Sequence, residues 1–174
     1  MMTLTRLTLV LGAMALSACT NPDRFGGANS TDTLPPDAVA LDDGGDGGPN
    51  DPTSPAYFSQ TIGDRVLFEV DQVTLTAAGQ TTLNGQAEWL LANPEYLAII
   101  EGHADEQGTR DYNIALGDRR ANAVKEYLVS RGVPSSRMRT LSYGKERPVA
   151  TCSDESCYAQ NRRAVTIISV GSIS

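Results

Sequence analysis

The chain has 174 residues, of which 40% are hydrophobic, with a formal net charge of −7 and a pI near 4.6. That length accommodates one domain plus tails. The acidic balance, without a basic patch, argues against nucleic acid as a partner.

The first segment, 1–18, reads as a signal peptide. Arg6 supplies a positive start, and the apolar run 7–16 (LTLVLGAMAL) is too short to span a bilayer. Leu16-Ser17-Ala18-Cys19 then fits a bacterial lipobox, with small residues before the cut and a thiol after it. Cys19 is the expected lipidation site. Acyl chains contribute about 0.8 kcal/mol per buried CH₂, so a multiply acylated Cys19 would hold firmly to a membrane. Thr20 follows it; the absence of Asp there points to the outer membrane, with the rest of the chain facing the periplasm.

The segment 19–59 reads as a linker. Gly and Pro alternate with Asp37, Asp42, Asp43, Asp46 and Asp51, a composition that buries too little apolar surface to offset its ordering entropy. These aspartates lack the ligand spacing of an EF-hand loop. A flexible tether of about forty residues has an r.m.s. span of roughly 35 Å.

The segment 60–174 reads as the globular domain. A first strand is expected over 65–70, with Val66, Phe68 and Val70 on one face. Thr76 is a candidate N-cap for a helix over 77–92, whose apolar positions Leu83, Ala87, Leu90 and Leu91 recur every three or four residues; Asn93-Pro94 stops it. Trp89 reads as core. A second strand is expected over 96–102 and a polar loop over 103–108. Thr109 caps the next helix, with Asp111 in its first turn, where the helix dipole favours a carboxylate. Gly117, Ala121, Val124 and Leu128 form its apolar stripe, and Asn113, Leu116, Arg120 and Tyr127 run beside it. Strands over 138–143 and 163–170 complete a two-layer sandwich of α+β or α/β class, with two main helices on one face of the sheet.

Several features bear on chemistry. Asp105 and Arg120 converge at the end of the second strand, either as an ion pair or as two halves of a site for a zwitterion. His103 beside Asp105 and Glu106 suggests acid–base work, but no nucleophile or metal set accompanies it, so an enzyme is not expected. Asp71 either caps a turn or belongs to the site. Arg162 and Arg163 either line the same groove or pack the last strand. Cys152 and Cys157, four residues apart in an exported chain, are expected to form a disulfide whose loss would loosen its loop and leave the binding site largely intact.

The positions Asn113, Leu116, Arg120, Ala121, Val124 and Leu128 match a spaced helix signature, flanked by EGHADE at 101–106, SYG at 142–144 and NRR at 161–163. This text resembles the OmpA-like peptidoglycan-binding domain over about 66–170. The one departure is Gly117 where Ser is usual, a position expected to concern packing. The resemblance implies a mixed sheet of about four strands. It implies a binding module, without cofactor or metal, for the meso-diaminopimelate of the peptidoglycan stem peptide. Arg120 would grip the carboxylate through two parallel hydrogen bonds and Asp105 would accept from the ammonium, with Asp71, Leu116 and Asn113 as further binding positions. Since neither Asp105 nor Arg120 belongs to the apolar stripe, losing either is expected to spare the fold. For lipid-anchored members the resemblance also implies TolB and other Tol proteins as partners in cell division and envelope integrity. The alternative is a wall-binding lipoprotein without Tol partners.

Overall fold

A computed structural model describes residues 47–170. The expected signal peptide, Cys19 and the linker up to residue 46 lie outside the described residues.

The first described segment corrects the expected linker boundary. Ser54 caps a helical turn, α1 (Pro55–Tyr57), by accepting from the Tyr57 amide at 2.9 Å, and the chain continues as a π-helix over Phe58–Gly63. Phe58 is 1% exposed and its ring lies 5.0 Å from that of Trp89. The Trp89 indole donates to the Pro52 carbonyl at 2.7 Å. Gly and Pro around 44–55 mask two strong anchors, an aromatic for the core and a carbonyl for the indole, so the domain extends upstream of residue 60.

Four strands follow: β1 (Arg65–Leu67), β2 (Tyr96–His103), β3 (Met138–Gly144) and β4 (Arg163–Val170). They form one sheet in the order β1-β4-β2-β3. β4 runs antiparallel to β1 and β2, pairing Val66 with Ala164 and Ile100 with Thr166, whereas β2 and β3 are parallel. The sheet is therefore mixed and four-stranded, as expected. β1 stops at Leu67, earlier than the alternation suggested, and Val70 is exposed.

Helices α2 (Ala77–Ala92) and α3 (Arg110–Ser130) supply the main helical layer. Thr76 and Thr109 cap them, accepting from Gly79 N at 3.0 Å and Tyr112 N at 3.3 Å. Leu83, Ala87 and Leu90 of α2 and Ala121, Val124 and Leu128 of α3 meet Val66, Ala98, Ile100 and Met138 of the sheet in one core. Leu91 turns outward. A short helix absent from the sequence reading, α4 (Glu155–Asn161), lies between β3 and β4.

One contact sets the position of α3. A Cβ on Gly102 would lie 1.8 Å from the Gly117 carbonyl oxygen, so helix and strand meet backbone to backbone. A Cβ on Gly117 would lie 2.4 Å from Ser142 Oγ, and that hydroxyl donates to the Ile114 carbonyl at 2.6 Å. The space a Ser at 117 would need is taken by Ser142, which explains the departure at this position. This close approach brings the first half of α3 over the C-terminal end of β2.

Candidate functional site

At that end of β2 the parallel register with β3 shifts between Gly102 and His103. The chain then turns away from the sheet, held by the Ala104 amide, which donates to the Gly144 carbonyl at 2.9 Å. The loop that follows is tied down twice. Asn113 is buried and its side-chain amide donates to the Gln107 carbonyl at 2.7 Å; Lys145 Nζ donates to the Gly108 carbonyl at 2.7 Å. Asn113 thus shapes the loop from a buried position.

A cavity of about 230 Å³ opens between this loop, the start of α3 and the chain after β1. Asp71 and Asp105 provide its carboxylates, Tyr112 and Leu116 its wall from α3, and Val70, Gln107 and Gly108 the remainder. Asp71 is the one non-glycine residue among those described with a left-handed backbone, φ 57°. Such a conformation is uncommon for a residue with a Cβ and persists where neighbours fix it. Here the Tyr112 hydroxyl donates a short hydrogen bond to Asp71 Oδ1, which also holds the Tyr112 phenol above its usual range. Tyr112 was not singled out in the sequence, although it directly precedes Asn113 of the helix signature.

Arg120 lies beneath the cavity with no exposed surface. Its Nε donates to the Gln72 carbonyl at 2.9 Å, Nη1 to His103 at 2.8 Å and Nη2 to Glu69 at 3.2 Å. One guanidinium therefore ties the end of β2 to the turn after β1, with Phe68 5.2 Å below it. Burial pushes its pKa down to about 10, opposed by Asp105 and Asp71, so it stays charged at neutral pH. The expectation of an open fork is not met in this state, because every nitrogen already serves a backbone carbonyl. Neither is an Asp105–Arg120 pair formed.

Asp105 pairs instead with Arg162, Oδ2 to Nη1 at 3.3 Å, and accepts from the Gln107 amide through Oδ1 at 3.2 Å. Arg162 in turn binds Glu155 of α4 by a short ion pair and donates to the Phe68 carbonyl at 3.1 Å. Arg162 is buried and does not line the cavity itself, but reaches it through Asp105. Arg163 packs within the sheet, donating to the Asn161 and Arg147 carbonyls.

His103 is 2% exposed and stacks on Tyr143 at 5.6 Å. Neither ring nitrogen makes a hydrogen bond within the described residues, although Glu101 Oε2 lies 3.7 Å from Nε2. Burial, with Arg163 and Arg147 nearby, lowers its pKa to about 4, which keeps it neutral. Cys152 and Cys157 are joined as a disulfide. With Asp154 they form a cluster of metal-ligand spacing, but thiolates are what bind zinc and here the sulfurs are bonded to each other.

The family model for the OmpA family matches residues 67–162. A peptidoglycan-associated lipoprotein of Rhizobium meliloti is 54% identical over 142 residues, covering 82% of this chain and 80% of the relative. Another from Agrobacterium fabrum is 48% identical over 156 residues, covering 90% and 82%. Among solved structures, the peptidoglycan-associated lipoprotein of Burkholderia pseudomallei superposes with a TM-score of 0.62 at 39% identity, covering 70% of this chain and 98% of that one. The C-terminal domain of Helicobacter pylori MotB shares the fold, with a TM-score of 0.58 at 19% identity, covering 62% of this chain and 85% of that one.

Proposed function

The chain belongs to the OmpA family, and from that premise we propose that it holds peptidoglycan non-covalently, as a lipoprotein tethering outer membrane to cell wall. The observation that carries the proposal is the cavity at the C-terminal end of β2, which places two carboxylates above a buried, charged guanidinium. A meso-diaminopimelate centre presents an ammonium and a carboxylate on one carbon. Asp105 and Asp71 take the ammonium. The carboxylate is drawn toward the positive charge of Arg120, which is sealed beneath the cavity and acts through its field while its nitrogens serve backbone carbonyls. Leu116 supplies an apolar wall for the stem, and Asn113 acts by holding the loop. A lysine at the same place in the stem offers the ammonium without the carboxylate, leaving the buried cation unmatched; discrimination of that kind is large. The work is binding, and no bond is broken.

Cys19 carries the anchor in this reading, and the names of the relatives support it. TolB is the proposed protein partner. The test is co-sedimentation of the full chain with purified diaminopimelate-type wall, in the presence and absence of TolB. Wild type should sediment with the wall and Asp105→Asn should stay in solution. Equal sedimentation of both would refute the site. Retention of the chain on immobilised TolB supports the Tol role, and its absence favours a wall-binding lipoprotein without Tol partners.

A further inference from the structure

The disulfide was expected to stand apart from the site, yet the structure connects the two through a short path. Cys157 lies in α4, directly before Tyr158 and two residues after Glu155, and its partner Cys152 precedes the helix. α4 has seven residues, too few to be stable without outside support. Three devices hold it. Asp154 caps it, accepting from the Ser156 amide at 2.9 Å. At its far end Asn161 Oδ1 accepts from the Val149 and Ala150 amides at 2.8 and 3.2 Å. The disulfide closes the first turn onto the preceding loop.

The helix so held faces the binding loop with two side chains. Tyr158 donates to Glu106 Oε1 at 2.9 Å. Glu155 grips Arg162, whose Nη1 reaches Asp105 at 3.3 Å. Covalent bond, helix, arginine and site carboxylate therefore act in series. Among the described residues, the Gln107 amide is the other hydrogen-bond donor to Asp105.

We infer that the Cys152–Cys157 disulfide is a positioning element of the wall-binding site, setting Asp105 through α4 and Arg162. The inference rests on the proposed function. Its structural part makes a separate demand: α4 and the loop 103–108 should loosen together when the disulfide is absent, while the β2–β4 core does not. Arg162 then loses its fixed Glu155 partner, and Asp105 samples orientations that no longer face the cavity. Losing one charge-assisted contact of this kind typically weakens binding by about tenfold or more.

The experiment compares the full chain with its Cys152→Ser/Cys157→Ser variant. Co-sedimentation with purified diaminopimelate-type wall gives affinity, and amide hydrogen exchange reads Gln107, which donates to Asp105, alongside Ile100 and Thr166 of the core. The inference requires about a tenfold loss of affinity and faster exchange at Gln107, with core protection kept. Unchanged affinity in a folded variant overturns it, as does a loss of affinity accompanied by collapse of core protection, which would make the disulfide a fold staple. Glu155→Gln keeps the disulfide and cuts the grip on Arg162. It should weaken binding in the same direction, and unchanged binding there also overturns the inference. A wild type that does not sediment with the wall defeats the proposed function itself, while the exchange measurement still judges the link between α4 and the loop.

Discussion

The two ends of β2 are built on the same device and put to different use. At its start, Arg137 donates to the Leu90, Asn93 and Tyr96 carbonyls at 2.6–3.0 Å, closing α2 onto the sheet. At its finish, Arg120 donates to the Gln72, His103 and Glu69 carbonyls. Arg137 is half-buried and its guanidinium acts on neutral acceptors alone; Arg120 is sealed, with Asp105 and Asp71 close enough to raise its pKa against the effect of burial. An arginine clamping carbonyls is thus a way of finishing a strand. What distinguishes the end proposed as a site is the pair of carboxylates set near the clamp, one of them on a left-handed backbone.

The largest effect should come from removing the sealed clamp. Arg120→Ala leaves three carbonyls without donors in a place water does not reach, and should cost about 3–5 kcal/mol in denaturant unfolding. This reverses the expectation that the fold is indifferent to Arg120. Wild-type stability in Arg120→Ala would break the comparison at its root. Arg120→Lys keeps the charge but serves fewer carbonyls, so it should recover only part of the loss.

His103 sharpens the same end. Its folded pKa of about 4 lies below the ordinary value of 6.5, so the unfolded chain binds the extra proton first. Its contribution is complete above about pH 6.5 and is lost as pH falls toward 4, an effect of about 2–3 kcal/mol. His103→Phe keeps the stack on Tyr143 and removes two ring nitrogens that make no hydrogen bond among the described residues. It should flatten that limb of the stability–pH curve without loss at pH 7. An unchanged limb would show that His103 is not the titrating group.

Arg137→Ala should cost less, about 1–3 kcal/mol, because half-buried Arg137 lies nearer to solvent than Arg120 and water can take over part of its hydrogen bonding. Wall binding should be unaffected; a binding defect would mean that the two ends are not separate. Tyr112→Phe should have the smallest effect on unfolding, since Tyr112 is exposed, while wall affinity falls as Asp71 loses its donor.

Much of this was legible from residue order. The caps Thr76 and Thr109, the stripe Ala121, Val124, Leu128 and the span of β4 all follow local rules of spacing and capping, and the structure reproduces them. The motif pointed to Asp105 and Arg120 at one strand end. What the sequence did not carry was who binds whom there. Arg120 reaches Glu69, 51 residues away, and Arg162 reaches Asp105, 57 residues away, and such partners depend on strand order. α4 was missed because seven residues around a Cys pair show no period. The anchoring of Phe58 was missed because the Gly- and Pro-rich text before it reads as linker throughout.

In the proposed function, the end of β2 bearing Asp105 recognises a diaminopimelate centre and the other end does not. Calorimetric titration of wild type, Asp105→Asn and Arg137→Ala with a stem peptide containing diaminopimelate, beside one containing lysine, tests it most directly. Wild type and Arg137→Ala should bind the first peptide alike and the second far more weakly, and Asp105→Asn should lose roughly 2–5 kcal/mol toward the first. Equal binding of both peptides by wild type, or undiminished binding by Asp105→Asn, would contradict it.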